Sequence, residues 1–342
     1  MSQMTETIAP ATPSRSIERH FIPPTTRQWL LHGLMFLLTA ITTTISGIVW
    51  TVNPELLAGS SAPEGGGGIP SLLLIPWSYI TGIVLLIRDA LTNSAVLMPG
   101  LKFSISLMAV LTAHEFGHYL LCRHYGVNAT LPFFIPQPPG LLPGTFGAFI
   151  KMKSPVPSRR ALFDIGLAGP LAGFAVVIPV AFLGVLTLEP SIRQSAEGGG
   201  IIFHDPLLFR LIATVFKVNL DTSVVNPFYL AAWVGLLVTA LNLMPVGQLD
   251  GGHATFSVFG QRAHWWIGRV AFVTMVLISF LGWRWHGSPS GFVYVALLAV
   301  MLRVRHPPPE NMEPLGTVRT VIGIVTLIVF VLCFLPFPIT IG

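Results

Sequence analysis

The sequence has few charged residues: Asp, Glu, Lys and Arg make up 10% of its 342 residues, against roughly 25% in an average soluble protein. Apolar residues make up 52%, and they include 23 Phe and 8 Trp. This composition excludes a water-soluble globular protein, and the aromatic content excludes a disordered one. We therefore predict a protein embedded in a lipid bilayer.

Cysteine is also scarce. The two residues present, Cys122 and Cys333, exclude a disulfide scaffold and are interpreted as small buried hydrophobic side chains. The net charge is +5, but the basic residues occur in short clusters between apolar runs and form no continuous stripe. We predict no nucleic-acid partner, because such clusters are typical of membrane topology signals.

Six apolar runs are long enough to cross the roughly 30 Å hydrocarbon core, which takes about 20 helical residues. They cover residues 29–52, 101–123, 161–188, 226–246, 265–283 and 317–335. Residues 69–87, which contain Pro76, and the short run 291–302 leave open whether they cross. The sequence predicts an all-α polytopic membrane protein with six to eight transmembrane helices.

The polar, proline-containing residues 1–28 predict a disordered cytoplasmic tail. The tail is followed by N-terminal membrane segments over 29–100, a core over 101–258 and C-terminal transmembrane helices over 259–342. The positive-inside rule places the basic clusters within 15–27, 151–160 and 303–319 in the cytoplasm, so that residues 189–225 are external. This arrangement requires that residues 69–87 do not cross the membrane.

Residues 127–154 differ from the rest of the chain. They are rich in Pro and Gly and carry β-favouring residues at 133–135 and 146–150. This pattern predicts short strands and turns, and therefore a small membrane-associated β-hairpin region.

Three ionisable residues, His114, Glu115 and His118, form an H-E-x-x-H motif inside one apolar run. On a helix the two His lie about 40° apart on one face and about 6 Å apart along the axis, so both can bind one metal ion. Glu115 lies close enough to accept a proton from an attacking water molecule without binding the metal. The alternatives are a buried polar network and a proton relay in a transporter.

A catalytic zinc site usually has three protein ligands, and Asp250 is our candidate for the third. It follows a helix end that Pro245 and Gly247 interrupt, and such a break can direct a carboxylate into a cavity. Asn242, at the start of this stretch, is a candidate for holding the substrate backbone or a developing oxyanion. The alternative for Asn242 is a hydrogen bond within the helix bundle.

Other polar residues have simpler interpretations. Asp164 follows Arg159 and Arg160 near a helix start, which predicts a capping or ion-pair role. His253 is expected to be an interfacial residue, although a role in supporting a ligand or as a fourth ligand stays open. His204 lies in the predicted external loop, and we do not expect it to bind the metal.

The combination of H-E-x-x-H in one helix with N-x-x-P-x-G-x-L-D-G at 242–251 resembles the site-2 protease family of zinc intramembrane metalloproteases. The resemblance includes L-A-G-P-L at 167–171, and G-T-F-G-A-F at 144–149 is similar to the compact bacterial members and their plastid relatives. It covers about residues 101–258. The chain departs from the family at Gly173, where many members have Asn, and its external loop is too short for a PDZ domain.

The resemblance implies one Zn²⁺ per chain, bound by His114, His118 and Asp250, with Glu115 as the catalytic acid and base. It implies hydrolysis of peptide bonds within or next to transmembrane helices, so the partners are transmembrane protein substrates and the bilayer. The expected location is a bacterial inner membrane. The rival function is a transporter or channel in which the same polar residues conduct protons or a metal ion.

A helical substrate hides its carbonyl groups in its own hydrogen bonds, so it must be unwound before cleavage. Residues 145–151 combine β-favouring residues with a glycine. We therefore predict an edge strand in which Gly147, Ala148 and Phe149 bind the unwound segment. The alternative is an interfacial loop whose Phe side chains lie in the headgroup region.

Overall fold

The structure is a computed structural model that describes residues 23–51, 69–140, 143–190, 201–220, 223–304 and 307–341. The helices in this part of the chain are α1 Thr26–Thr51, α2 Ile69–Thr92, α3 Ser94–His124, α4 Arg159–Leu186, α5 Leu207–Phe216, α6 Pro227–Asn242, α7 Asp250–His286, α8 Gly291–Met301 and α9 Thr317–Cys333. The strands are β1 Phe133–Pro136, β2 Thr145–Phe149, β3 Glu189–Pro190, β4 Ile201–Phe203, β5 Ser223–Val224 and β6 Ile339–Ile341.

Four of these helices, α1, α3, α4 and α7, are long and apolar enough to cross a membrane. The helices α5, α6, α8 and α9 are apolar but shorter, with 10–17 residues each. The predicted class, an all-α polytopic membrane protein with small β-hairpins, is confirmed. The predictions that α2 does not cross and that the chain divides at residues 28, 100 and 258 stay predictions.

Some helices begin earlier than the predicted apolar runs, and for one of them a capping side chain determines the start. The predicted tail lies outside the described residues up to position 22, and α1 begins at Thr26, three residues before the predicted apolar run 29–52. The third helix begins at Ser94 instead of 101, because the Asn93 side chain accepts a hydrogen bond from the Ala95 amide and caps it. The helix tolerates Pro99 in its second turn.

The centre of the molecule is built from α3, α4 and α6. Their inward side chains are almost fully buried and include Phe103 and Leu107, Phe163 and Leu167, and Leu230 and Leu236. The peripheral helices α1, α7 and α9 leave many apolar side chains exposed, as expected for surfaces that face lipid. The motif residues of α3, His114, Glu115 and His118, are therefore surrounded by protein and not by lipid.

The predicted hairpin is present: β1 and β2 pair antiparallel, with Phe133 opposite Phe149 and Phe134 opposite Ala148. Two further pairings, β3 with β5 and β4 with β6, were not predicted. The helix α5 was also missed, and it lies within the segment predicted to be an external loop. Its Phe209, Ile212 and Ala213 are buried, at a helical spacing that the mixed charge of this segment obscured.

Asp164 forms the predicted ion pair, but with a different partner. Its carboxylate accepts hydrogen bonds from Arg319 of α9 at 2.6 and 2.8 Å and from the Tyr125 hydroxyl. Burial and the Asp164 carboxylate raise the pKa of Tyr125 above its usual range, so Tyr125 stays protonated as a donor. The cap of α4 is Ser158, which accepts from the Ala161 amide, so a capping role for Asp164 is wrong.

We expect Arg319→Gln to lower the free energy of unfolding by about 2 kcal/mol, because it removes two charge-assisted hydrogen bonds and leaves a mostly buried carboxylate without its cation. Denaturant titration in detergent micelles measures the change. Arg160→Gln is the control, since its 3.5 Å pair with Glu313 is 43% and 48% exposed and should contribute less than about 1 kcal/mol. Equal losses in the two variants would contradict the assignment.

Candidate metal centre

Three side-chain donor atoms converge between α3 and the start of α7. The Nε2 atoms of His114 and His118 lie 3.2 Å apart, and each is 3.3 Å from Oδ2 of Asp250. Two ligand atoms about 2.1 Å from a tetrahedral ion are separated by about 3.4 Å. The nearly equilateral triangle therefore fits three corners of a single tetrahedral zinc site.

A backbone carbonyl sets the orientation of one of these imidazoles. The Nδ1 atom of His118 lies 2.7 Å from the carbonyl oxygen of Ile165 in α4. A carbonyl only accepts hydrogen bonds, so Nδ1 carries the proton and Nε2 presents its lone pair to the metal position. The motif residues His114, Glu115 and His118 are only 4, 6 and 7% exposed, which favours a fixed geometry.

The carboxylate of Asp250 reaches this position because the chain breaks between α6 and α7. Helix α6 ends at Asn242, residues 243–249 form turns, and Asp250 is the first residue of α7. Gly247 has a φ of 57°, a conformation that favours glycine. A Cβ atom on Gly251 would overlap the Leu243 carbonyl, so this close turn requires glycine. The predicted break is confirmed.

The first part of α7 is also held at its far end. The helix is interrupted at Gly260, whose φ and ψ are 79° and 176°. The guanidinium of Arg159 donates to the carbonyl oxygens of Ser257 and Val258, the latter at 2.6 Å. These carbonyls lie at the end of the helical segment that begins with Asp250, and such terminal carbonyls need external donors. Arg159 therefore helps to fix the segment that carries Asp250.

The glycines of α4 allow its backbone to approach the histidine face of α3. A Cβ on Gly117 of α3 would overlap the Ala168 carbonyl, and one on Gly169 would overlap the imidazole of His118. Gly117 therefore leaves the room that α4 needs to pack closely against α3. At Gly173 a Cβ would lie 3.2 Å from that of His114, so the residue at which the chain departs from the family pattern adjoins the site.

A cavity of about 670 Å³ opens at the donor triangle. Its walls include the candidate site residues His114, Glu115, His118, Asn242, Asp250, Ala148 and Phe149; Gly147 is not part of them. The Glu115 carboxylate accepts a hydrogen bond from the backbone amide of Ile150. The Nδ2 atom of Asn242 lies 3.4 Å from Nε2 of His114. Thus one base, one amide side chain and the end of β2 border the metal position.

Two further imidazoles, His253 and His204, were considered as ligands. His253 is buried and lines the same cavity, and its position at the membrane interface stays a prediction. It is not one of the three converging donors. His204 is not near them, and its Nε2 lies 3.1 Å from Oγ1 of Thr340 in the β4–β6 pair. Sequence reasoning missed Ile150 and Pro307 as cavity residues, because neither carries a recognisable chemical signal.

The chain is similar in sequence to plant proteins named as zinc metalloproteases. The chain is 30% identical over 325 residues to the chloroplastic "Probable zinc metalloprotease EGY1" of Oryza sativa subsp. japonica, which covers 92% of this chain and 51% of that protein. It is 29% identical over 293 residues to the chloroplastic "Probable zinc metalloprotease EGY2" of Arabidopsis thaliana, covering 84% and 50%. The chain thus spans about half the length of these curated relatives.

A solved structure, the site-2 protease from Methanocaldococcus jannaschii, is 16% identical, covers 67% of this chain and 90% of its own, and gives a TM-score of 0.33. That likeness is too distant to support an argument about the fold or the site. The model of peptidase family M50 matches residues 102–281, more than half of the chain, and this range includes both predicted metal-binding motifs. The chain therefore belongs to peptidase family M50, the site-2 proteases that its motifs resemble.

Proposed function

We propose that this protein is a zinc metalloendopeptidase that hydrolyses peptide bonds within or next to the transmembrane helices of membrane-protein substrates. The observation that carries the proposal is the buried triangle of two imidazole nitrogens and one carboxylate oxygen, with Glu115 beside it, inside apolar helices. Membership of a peptidase family supports the same reaction. An ion pathway would be expected to contain further sets of converging ligands, and the described residues contain no second set of this kind.

His114, His118 and Asp250 are proposed to hold the zinc ion. Two His and one carboxylate are a donor set found in catalytic zinc sites, which keep a fourth position open. When bound, zinc supplies Lewis-acid activation of water and of the scissile carbonyl. The hydrogen bond from His118 to the Ile165 carbonyl keeps the imidazole in the required tautomer.

Glu115 is proposed to move the proton. Its carboxylate takes the proton from the attacking water and passes it to the nitrogen of the leaving amine. The Ile150 amide, which donates to this carboxylate, holds it in place during both transfers. Asn242, whose amide lies beside His114, is proposed to donate to the substrate backbone or to the oxygen on which negative charge develops.

The free edge of β2 is proposed to bind the unwound substrate. The amide groups of a strand alternate between its two edges. Since the Ile150 amide points to Glu115, the amide of Ala148, two residues earlier, lies on the same edge. A substrate strand paired there would run along the catalytic cavity. The exposed side chains of Phe146 and Phe149 also suit the alternative role of anchoring in the headgroup region.

The protein is an integral membrane protein, and its cavity is proposed to face the cytoplasmic side. Lys151 and Lys153 lie in the cavity wall, and such residues favour the cytoplasmic side of a membrane. The prediction of a bacterial inner membrane receives no support from the relatives, which are chloroplastic by name. Fractionation of the native membranes of the source cell decides between these locations.

We expect Asp250→Ala to lose its zinc, because one of the three proposed ligands is removed. Its affinity for zinc should fall by more than about 100-fold, which exceeds the usual loss when a residue that only supports a ligand is removed. Metal analysis of the purified protein measures this. His204→Ala is the control and should retain one zinc per chain. Full occupancy in Asp250→Ala would contradict the ligand assignment and direct attention to the neighbouring His253.

Glu115→Gln should abolish cleavage of a model transmembrane substrate while zinc stays bound, because the amide cannot accept a proton. A loss of about 10²–10⁴-fold is the usual contribution of a general base. Rates are compared with the wild-type protein before and after chelation. If the variant loses its zinc, or cleaves at nearly the wild-type rate, Glu115 does not act as the base.

Ala148→Pro should reduce turnover by at least about ten-fold with zinc retained, because it removes one backbone donor from the edge that pairs with substrate. Ala148→Gly, which keeps the amide, is the matched control. Helix-breaking residues placed near the cut site of the substrate should increase the rate. Normal cleavage by the Pro variant, together with equal rates for rigid and flexible substrates, would assign the segment to anchoring instead.

A further inference from the structure

A second cavity, of about 790 Å³, lies next to the catalytic cavity, with which it shares Gln248, Pro307 and Pro308. Its other polar walls are formed by α7 and by the end of α8, and they include Arg269 and Arg303. Glu115 and Asp250 line the catalytic cavity, whereas no Asp or Glu is among the described residues that line this one. The second cavity is therefore positively charged.

The two arginines are available to bind an anion. The guanidinium of Arg269 stacks on the Trp265 ring, 3.2 Å from its centroid, and its Nη1 donates to the Trp265 carbonyl at 3.1 Å. This bond uses one of five donors, and the stacking fixes the plane of the others. Among the described residues, no carboxylate forms an ion pair with Arg269 or Arg303.

The tryptophans of α7 indicate how deep this cavity lies in the membrane. Trp265 and Trp266 begin the apolar part of the helix, and Trp283 and Trp285 end it. The eighteen steps from Trp265 to Trp283, at 1.5 Å each, span about 27 Å, close to the thickness of the hydrocarbon core. Tryptophan is enriched at both membrane interfaces, so the cavity beside Trp265 lies at the level of the lipid headgroups.

Apolar side chains of α7 that do not line this cavity are exposed along the helix between the two interfaces. Trp266, Val270, Val273 and Leu277 follow one another at spacings of four, three and four residues, so they share one helix face. All four side chains are exposed. A cationic cavity at headgroup level, on a helix with an exposed apolar face, has the chemistry of a phospholipid site: arginine for the phosphate, and apolar side chains for the acyl chains.

We propose that this cavity binds the phosphate group of an anionic phospholipid, whose acyl chains lie against the exposed apolar surface of α7. Arg269 and Arg303 supply the phosphate contacts. The absence of carboxylates among the described lining residues disfavours the quaternary ammonium of a zwitterionic lipid. Because Gln248, Pro307 and Pro308 form a common wall, the bound headgroup lies beside the catalytic cavity. The proposal does not depend on the peptidase reaction.

The test is lipid titration of the full chain in detergent, followed by native mass spectrometry. Phosphatidylglycerol should bind at least about ten-fold more tightly than phosphatidylcholine. The double variant Arg269→Gln, Arg303→Gln should lose at least about ten-fold in phosphatidylglycerol affinity, the usual effect of losing a charge-assisted hydrogen bond. The matched control is Arg284→Gln, at the opposite end of α7, which should bind as the wild type does.

The single variant Arg303→Gln leaves the stacked Arg269 intact and should also weaken binding, so a folding defect in the double variant does not decide the result. Equal affinity of wild type and both variants for phosphatidylglycerol would overturn the proposal. Equal affinity for the two lipids would also overturn it. If inorganic phosphate binds as tightly as the lipid and displaces it, the cavity is a site for free phosphate and the lipid assignment is wrong.

Discussion

The contact between the backbone of α4 and the histidine face of α3 determines the geometry of the metal centre. The imidazole of His118 occupies the space that a side chain on Gly169 would take, and it bonds the Ile165 carbonyl. Gly169 of the L-A-G-P-L segment thus provides the space for this proposed metal-binding imidazole, and Ile165, one turn earlier, provides the acceptor.

The third donor depends on a second irregularity, the turn between α6 and α7. A carboxylate in a membrane interior is costly unless it has partners, and Asp250 has two imidazoles at 3.3 Å. The segment that carries it is held at one end by the tight turn at Gly251 and at the other by Arg159. Such support from both ends keeps a ligand in position when its helix is short.

Sequence analysis predicted best those features that depend on residues close together in the sequence. The periodicity of a helix places His114 and His118 on one face, and Pro245 with its glycines indicates a break. The pairing of Asp164 with Arg319 could not be read in this way, because 155 residues separate them. The role of the Ile150 amide could not be predicted either, since every residue except proline has a backbone N–H group. The role of Arg159 was hidden because a basic residue next to a span is usually a topology signal.

Irregular backbone at membrane depth is tolerated only where protein covers it or where it lines a water-filled cavity. In this chain the α6–α7 turn and the segment after β2 both border the catalytic cavity. The turn carries Asp250, the proposed third ligand, and the segment after β2 adjoins Glu115, the proposed base. Unpaired backbone N–H and C=O groups make such segments costly in lipid. Hydrolysis requires groups of this kind, because water and an unwound substrate both need hydrogen-bonding partners. The breaks that disturb the helical bundle are therefore what makes a polar reaction feasible within it.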